Sequence, residues 1–302
     1  MSDAAATPPA SRPAWVEDVR AAVAGLFTAL KVLRTRKPRG PAPRLPMDGL
    51  VEMVCLFMLV GGVVAATMIL IDPLIPGLRL MLPLGVIHFF ERVTELGLGG
   101  TVLWPLGIAL LVLLGAVPHL DLLYRRVAAA VVARVGFVFL SVAATSLAVL
   151  VVKYILGRAR PYEVLHLPGP NAHLTFELFR LQASYSSFPS GHSTVVFAFA
   201  VSAALLFPKA RWWLIALAVL VAASRVVLGS HFPSDVIAAA AIATASSFWL
   251  AKVFAARGLV FSIAADGRLH PMPGPSMRRL MALFSPAHRL SGASSASQEA
   301  RP

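Results

Sequence analysis

Between residues 50 and 254 the chain alternates long apolar runs with short polar clusters. A helix that crosses the roughly 30 Å hydrocarbon core of a bilayer needs about 20 apolar residues. Six stretches fit: 50–71, 101–117, 127–152, 188–207, 210–229 and 233–254. The pattern predicts an all-α membrane protein built as a six-transmembrane-helix bundle. The second stretch is short and the third long, and Arg134 within the third is expected to snorkel toward Arg125 and Arg126. Upstream, Trp15, Val19, Val23, Leu26, Leu30 and Leu33 recur at helical spacing, with Glu17, Asp18 and Arg20 elsewhere on the turn. That spacing predicts a helix lying on the inner membrane surface, with packing against another subunit as the alternative. Downstream, Pro, Ser, Ala and Arg dominate from about residue 266, and the tail reads as disordered. The chain thus divides into a cytoplasmic basic segment (1–49), a six-span domain (50–254) and a cytoplasmic, disordered tail (255–302).

Composition supports the same picture. Only 14% of the 302 residues are charged, against about 25% in a soluble domain, which argues against a water-soluble fold. The net charge of +13 raises nucleic acid as a partner. The cations, however, gather in short segments between apolar runs, and no basic face carries interleaved aromatics. The expected partner is a lipid bilayer and not nucleic acid. Nineteen Lys and Arg fall in 1–49, 118–126, 208–211 and after 251, whereas five fall in 72–100 and 154–187. Positive residues stay on the cytoplasmic side, so both termini are placed in the cytoplasm. The block RTRKPRGPAPR (34–44) reads as a flexible anchor for anionic headgroups. Cys55 is the single cysteine, which excludes an intrachain disulfide, a thiolate metal centre and a Cys-pair redox site. The first 49 residues lack the compact apolar stretch of a cleavable signal peptide.

Three polar clusters fall on the opposite, outer rim of this bundle. KYILGRARP (153–161) supplies Lys153, Arg158 and Arg160; SFPSGHS (187–193) opens the fourth span with Ser190, Gly191 and His192. ASRVVLGSHFPSD (223–235) places Arg225 near the end of the fifth span, His231 in the turn, and Asp235 in the first turn of the sixth. A helix start exposes unpaired N–H groups and the positive end of the dipole, which favours an anion, and a glycine there lets the backbone come close. Cations, a helix start and a hydroxyl on one face describe a pocket for a multiply charged oxyanion; two imidazoles and a carboxylate add groups able to move protons or attack. Taken singly, Ser190 and Asp235 read as helix caps, and Lys153 as a snorkelling span end. The joint pattern carries the reading.

Lys153, Arg160 and Pro161, then Pro189 to His192, then Ser224, Arg225, His231 and Asp235 together resemble the type 2 phosphatidic acid phosphatase superfamily, which also holds soluble acid phosphatases and vanadium haloperoxidases. The motifs cover about 153–235, and RVTELGLGG (92–100) is similar to the segment before the second span in many membrane members. The resemblance implies His231 as a nucleophile that becomes a phosphohistidine, with Asp235 fixing its tautomer and His192 as general acid and then base. It implies Lys153, Arg160, Ser190, Gly191 and Arg225 as phosphate ligands. Arg158 is read as auxiliary, because the family pattern leaves its position variable. His166 and His173, with Glu163 and Glu177, lack metal-ligand spacing, and the chemistry is expected to need neither metal nor cofactor.

The chain is therefore expected to be an integral lipid phosphatase of a bacterial inner membrane, with its site on the non-cytoplasmic face. Its expected substrate is a lipid phosphate monoester or pyrophosphate: phosphatidate, phosphatidylglycerophosphate, an undecaprenyl pyrophosphate or a lipid A phosphate. A phosphotransferase would share the same intermediate. An anion transporter is a lesser alternative, because the charged clusters gather at one rim and few polar residues run through spans four to six. The sequence is silent on oligomeric state. Leu165, Leu167, Leu174, Phe176, Leu178 and Phe179, with Leu74, Ile75, Phe89 and Phe90, either guide a lipid from the headgroup layer or pack over the span ends.

Overall fold

The computed structural model describes residues 14–35, 49–264 and 267–283. It is mostly helical, and among the described residues five segments are long and apolar enough to cross a membrane: Leu50–Leu74, Leu84–Ala116, Leu122–Leu156, Pro208–Val227 and Pro233–Ala256. The fourth stretch expected to span forms a shorter apolar helix, Gly191–Leu206. The chain divides into two compact units.

The smaller unit holds α1 (Ala14–Thr35), residues 108–132 and the C-terminal α10 (Met277–Leu283). Helix α1 forms where the spacing of apolar residues predicts one. Val19 and Val23 of its expected apolar face are exposed; the side chains of Trp15, Leu26, Leu30 and Leu33 lie outside the described ones, as do the tail beyond 283 and most of the basic block 34–44. Gly25 lies so close to Leu114 that an added Cβ would sit 3.3 Å from the Leu114 Cβ. Arg125 closes the connection before the long helix by donating to the carbonyls of Leu120 (2.6 Å) and Pro118 (3.0 Å).

The larger unit contains α2 (Leu50–Leu70), α3 (Leu84–Glu95), the first part of α4 (Gly99–Ala116) and most of α5 (Leu122–Leu156). The four-residue α6 (Pro161–Val164), α7 (Gly191–Leu206), α8 (Arg211–Val227) and α9 (Pro233–Ala256) follow. Glu52 starts α2 by accepting the Gly49 N–H at 2.6 Å, the side-chain half of a capping box. Helix α5 runs 35 residues, ~52 Å at the standard rise, longer than the 127–152 stretch. Hydropathy does not mark its ends, because Arg125, Arg126 and Lys153 are good helix formers. Gly157 ends it at φ +59°.

Lipid offers no hydrophobic drive between helices, so close packing uses small residues that let backbones approach. Helix α9 follows this rule: Ala239, Ala243, Ser247 and Ala251 recur every fourth residue and are fully buried. Ala243 packs with Val142, Val195 and Ala198 from α5 and α7. On α7 and α8, Val196, Ala200, Ala218 and Val221 form a second cluster. Hydroxyls join α5 to α9, with Thr145 and Ser246 at 2.7 Å and Ser141 donating to Ser247 at 3.4 Å. The large side chains point the other way: Leu50, Val51, Phe57, Met58 and Leu59 on α2 are exposed, the arrangement expected for faces solvated by acyl chains.

The segment expected to be a disordered tail needs correction over its first part. Strands β1 (Phe261–Ile263) and β2 (Leu269–Pro271) pair antiparallel, with Ser262 opposite His270. Phe261 is buried against Phe137, ring centroids 4.8 Å apart. A short run of β-branched and aromatic residues at 259–263 was masked by the Pro- and Ser-rich composition that follows. Arg134 is also placed differently from the snorkelling expectation: it donates to the carbonyls of Met272 (2.8 Å) and Pro273 (3.2 Å) after β2.

Ala243→Leu forces a branched side chain into a packed seam and should cost ~1–3 kcal/mol. Thermal unfolding in detergent should show a lower Tm for this variant, whereas Leu59→Ala on the exposed face of α2 should leave Tm nearly unchanged.

Candidate active site

The site is built at the meeting of the α5 C-terminus, the α7 N-terminus, the α8 C-terminus and the α9 N-terminus, all in the larger unit. A Cβ at Gly157 would lie 1.7 Å from the Glu177 carbonyl oxygen, so only glycine fits where α5 stops. The chain then runs extended, held by Ala159 N–H to the Thr175 carbonyl (3.1 Å) and Arg160 N–H to the Ser184 carbonyl (2.9 Å). Arg158 and Arg160 lie two residues apart yet go to different partners.

Arg158 is fully buried and donates through every N–H it has. Nη1 reaches Asp235 Oδ1 at 2.6 Å and Ser234 Oγ at 2.7 Å. Nη2 reaches Asp72 Oδ2 at 2.8 Å and the His173 carbonyl at 3.0 Å, and Nε reaches the same carbonyl at 3.4 Å. Its guanidinium lies over the Phe232 ring, 4.3 Å from the centroid. A guanidinium has five donors, so none is left for a ligand. Arg158 is thus a structural cation rather than an auxiliary phosphate ligand. Asp72, absent from the sequence-based candidates, also accepts the Ser234 N–H at 3.2 Å and bonds the Ser234 hydroxyl. A single aspartate after a span carries no pattern, and only the tertiary pairing reveals it.

Pro233 occupies the first turn of α9, where its missing N–H costs nothing. Asp235 caps that turn, its Oδ2 accepting the Phe232 N–H at 2.8 Å and the Ser187 hydroxyl at 2.6 Å. The Ser190 N–H donates to the Asp235 carbonyl at 3.2 Å, tying the α7 start to the α9 start. Ser190 caps α7: its Oγ accepts the Ser193 hydroxyl at 2.9 Å and the Ser193 N–H at 3.4 Å. Its first residue, Gly191, faces Lys153 in the last turn of α5, whose Nζ is 3.8 Å from where a Gly191 Cβ would stand.

His231 is buried in the α8–α9 turn, and its N–H donates to the Arg225 carbonyl at 3.1 Å. Its Nδ1 lies 2.8 Å from the Ser187 carbonyl and 3.6 Å from Asp235 Oδ2. A carbonyl only accepts, so Nδ1 carries the proton and Nε2 keeps its lone pair. The nearer acceptor for Nδ1 is the Ser187 carbonyl; Asp235, expected to fix the tautomer, stands farther off and draws the ring toward protonation. Burial pushes the imidazole down to about 4, against the pull of the Asp235 carboxylate. The ring is neutral near pH 7.

Lys153, Arg160, Arg225 and His231 are all electrostatic neighbours of His192, so the structure brings the expected cations and both imidazoles together. Arg160 Nη2 donates to Ser186 Oγ at 3.2 Å, and Arg225 Nη1 to Thr94 Oγ1 at 2.7 Å. The Nε atoms of both arginines are buried and make no hydrogen bond among the described residues. Thr94 and Ser187 are further site residues that the sequence reading did not single out. Of the residues weighed for a metal, His173 is buried and lends its carbonyl to Arg158, while Glu177 pairs with Arg180.

Comparison with known proteins bears out the resemblance drawn from the three motifs: residues 134–259 match the PAP2 superfamily. Over 132 residues, 44% of its length, the chain is 42% identical to a lipid A 1-phosphatase of Rhizobium johnstonii and to another of Rhizobium etli, covering 52% and 55% of those proteins. It is 40% identical over 87 residues, 28% of its length, to an undecaprenyl-diphosphatase of Sulfolobus acidocaldarius, of which it covers 38%. The chain spans about half the length of the first two relatives. A solved transmembrane PAP2-type phosphatidylglycerolphosphate phosphatase from Bacillus subtilis aligns with a TM-score of 0.40 at 20% identity, over 76% of this chain and 94% of that one.

Arg158→Leu should destabilise the fold by ~3–5 kcal/mol, because it leaves two buried carboxylates without their cation. Adding Asp72→Asn removes one of those charges and should recover part of the loss; Tm measured in detergent for the single and double variants checks both. The His231 imidazole titrates at about 4 in the folded chain, below its unfolded value near 6.5. Its contribution to stability is therefore complete above about pH 6.5 and is lost as pH falls toward 4, because the unfolded chain takes up the proton first. His231→Gln should remove that part of the acid-side loss in pH-dependent unfolding.

Proposed function

We propose that the chain is an integral membrane phosphatase that removes phosphate from a lipid phosphate monoester or pyrophosphate. The observation that carries the reading is the neutral His231 ring, with Nε2 left as a lone pair, beside a cluster of cations with unspent donors. Four cations (Lys153, Arg158, Arg160 and Arg225) stand against the Asp72 and Asp235 carboxylates. The excess of positive charge suits a phosphate dianion. The orphaned Nε donors of Arg160 and Arg225 suit its oxygens, and buried donors without partners are costly unless a ligand completes them.

In the proposed reaction His231 Nε2 attacks phosphorus in line with the leaving oxygen, forming an N–P bond as the P–O bond breaks. His192 enters this step as the imidazolium, a form that the bound phosphate dianion stabilises by offsetting the surrounding cations, and gives its proton to the leaving oxygen. A water molecule then attacks the phosphohistidine, loses its proton to His192, and frees inorganic phosphate and the His231 ring. Lys153, Arg160, Arg225, the Ser190 hydroxyl and the Gly191 N–H hold the equatorial oxygens, where charge grows in the transition state. Asp235 stabilises the positive ring of the intermediate.

The site would face the non-cytoplasmic side of a bacterial inner membrane, with six crossings and both termini in the cytoplasm, as the distribution of Lys and Arg favours. Among substrates, a lipid A phosphate draws support from the two Rhizobium relatives, and a polyprenyl pyrophosphate from the archaeal one.

Full-length protein in detergent with EDTA should release inorganic phosphate from at least one of lipid A, undecaprenyl pyrophosphate, phosphatidylglycerophosphate and phosphatidate. His231→Ala should reduce release to background and abolish labelling from a radioactive substrate. Full activity in that variant removes the nucleophile; transfer of label to a lipid acceptor in place of release makes the chain a phosphotransferase.

A further inference from the structure

The turn between α3 and α4 touches two members of the site from a segment with no part in the chemistry described above. Thr94, in the last turn of α3, accepts from Arg225 Nη1 at 2.7 Å. The turn is closed by the Gly97 N–H donating to the Thr94 carbonyl at 2.9 Å. At Gly97 an added Cβ would stand 2.9 Å from Val221 Cγ1 and 3.3 Å from both Cβ and Cδ2 of His192. Val221 is buried in the α7–α8 seam, packed with Val196, Ala200 and Ala218. One turn therefore meets the guanidinium of Arg225 at one end and the imidazole of His192 at the other.

Arg225 sits in the last turn of α8 with a long, flexible stem, and its Nε is buried without a partner. A single hydrogen bond at Nη1 sets the rotation of the planar group, and with it the direction of the remaining donors. His192 is the second residue of α7; the bare Cα of Gly97 leaves the space its ring edge occupies.

We propose that Thr94 and Gly97 are positioning residues: Thr94 aims Arg225 at the bound phosphate, and Gly97 sets the place from which His192 moves its proton. This rests on the phosphatase reading and adds to it a fourth segment, RVTELGLGG, that completes the wall of the site. The two residues act on different steps. Loss of the Thr94 hydroxyl should weaken phosphate binding, and a methyl group at Gly97 should slow proton transfer while leaving binding nearly intact.

The test uses full-length protein in detergent, with inorganic phosphate as the probe, read as phosphate-dependent stabilisation against heat and, where turnover is present, as product inhibition. Thr94→Val should weaken phosphate binding by about tenfold or more, the range for a hydrogen bond to a charged group, and Thr94→Ser should restore it. In an Arg225→Ala background the Thr94→Val change should have no further effect, because residues acting through one another are non-additive. Thr94→Ala, smaller and less disturbing, serves if the valine variant does not fold. Gly97→Ala should lower kcat by about a hundredfold, the scale of general acid–base assistance, with phosphate binding within about twofold of wild type. Wild-type phosphate affinity in both Thr94→Val and Thr94→Ala, or an unchanged kcat in Gly97→Ala, overturns the proposal alone. A wild-type chain that neither binds inorganic phosphate nor hydrolyses any lipid phosphate overturns the phosphatase reading, and this inference with it.

Discussion

The pairing of one buried guanidinium with two carboxylates organises this end of the molecule. Arg158 reaches Asp235 at 2.6 Å and Asp72 at 2.8 Å, with all three side chains out of solvent. Taking three charges out of water is costly, and a buried ion pair is not by itself a source of stability. Its value is geometric. Asp72 follows α2, Arg158 follows α5, and Asp235 opens α9, so one guanidinium fixes three segments that share no regular hydrogen-bond ladder. Ser187 and Ser190 join the same knot through Asp235, which brings the start of α7 into register with the start of α9. Removing the cation would loosen the segments that carry Asp72 and Asp235, and through Asp235 the start of α7.

This division of labour explains why the reactive groups stand where they do. Along their length the apolar helices pack through alanine, serine and valine. The polar machinery is confined to helix ends, where unpaired N–H groups and open turns are available. Arg158 and Arg160, two residues apart, show the consequence. The first is bonded to both carboxylates of the knot, and the second keeps a buried Nε that makes no hydrogen bond among the described residues. Adjacent cations thus divide into one that is fully spent on protein and one that keeps a donor free.

Much of this was legible in the sequence, for reasons tied to particular residues. Five of the six apolar runs fall in helices long enough to cross a membrane, and the run at 188–207 forms the shorter Gly191–Leu206. The spacing from His231 to Asp235 and from Ser190 to His192 marked two helix starts, because Pro233 and Ser190 are strong local signals for them. Arg158, Asp72, Thr94 and Ser187 were not legible in this way. Asp72 and Asp235 are 163 residues apart in the chain, and a pair joined only through tertiary packing leaves no local period. Ser187 contributes a backbone carbonyl to His231, and a carbonyl has no residue identity to read. The hairpin at 261–271 was hidden for a different cause: three-residue strands fall below the length at which alternation becomes a signal.

The Ser187 carbonyl also changes how the carboxylate beside His231 should be understood. A carboxylate bonded directly to Nδ1 would both orient the ring and raise its proton affinity, drawing the neutral form toward protonation. Here orientation comes from an uncharged acceptor at 2.8 Å, and Asp235 is held 3.6 Å away by its bonds to Arg158, Ser187 and the Phe232 N–H. The ring is thereby oriented by an uncharged acceptor, and burial keeps it unprotonated against the pull of the carboxylate. In the proposed reaction the carboxylate's charge would interact more strongly with the positive ring of the intermediate than with the neutral starting ring, which is the condition under which electrostatics lowers a barrier.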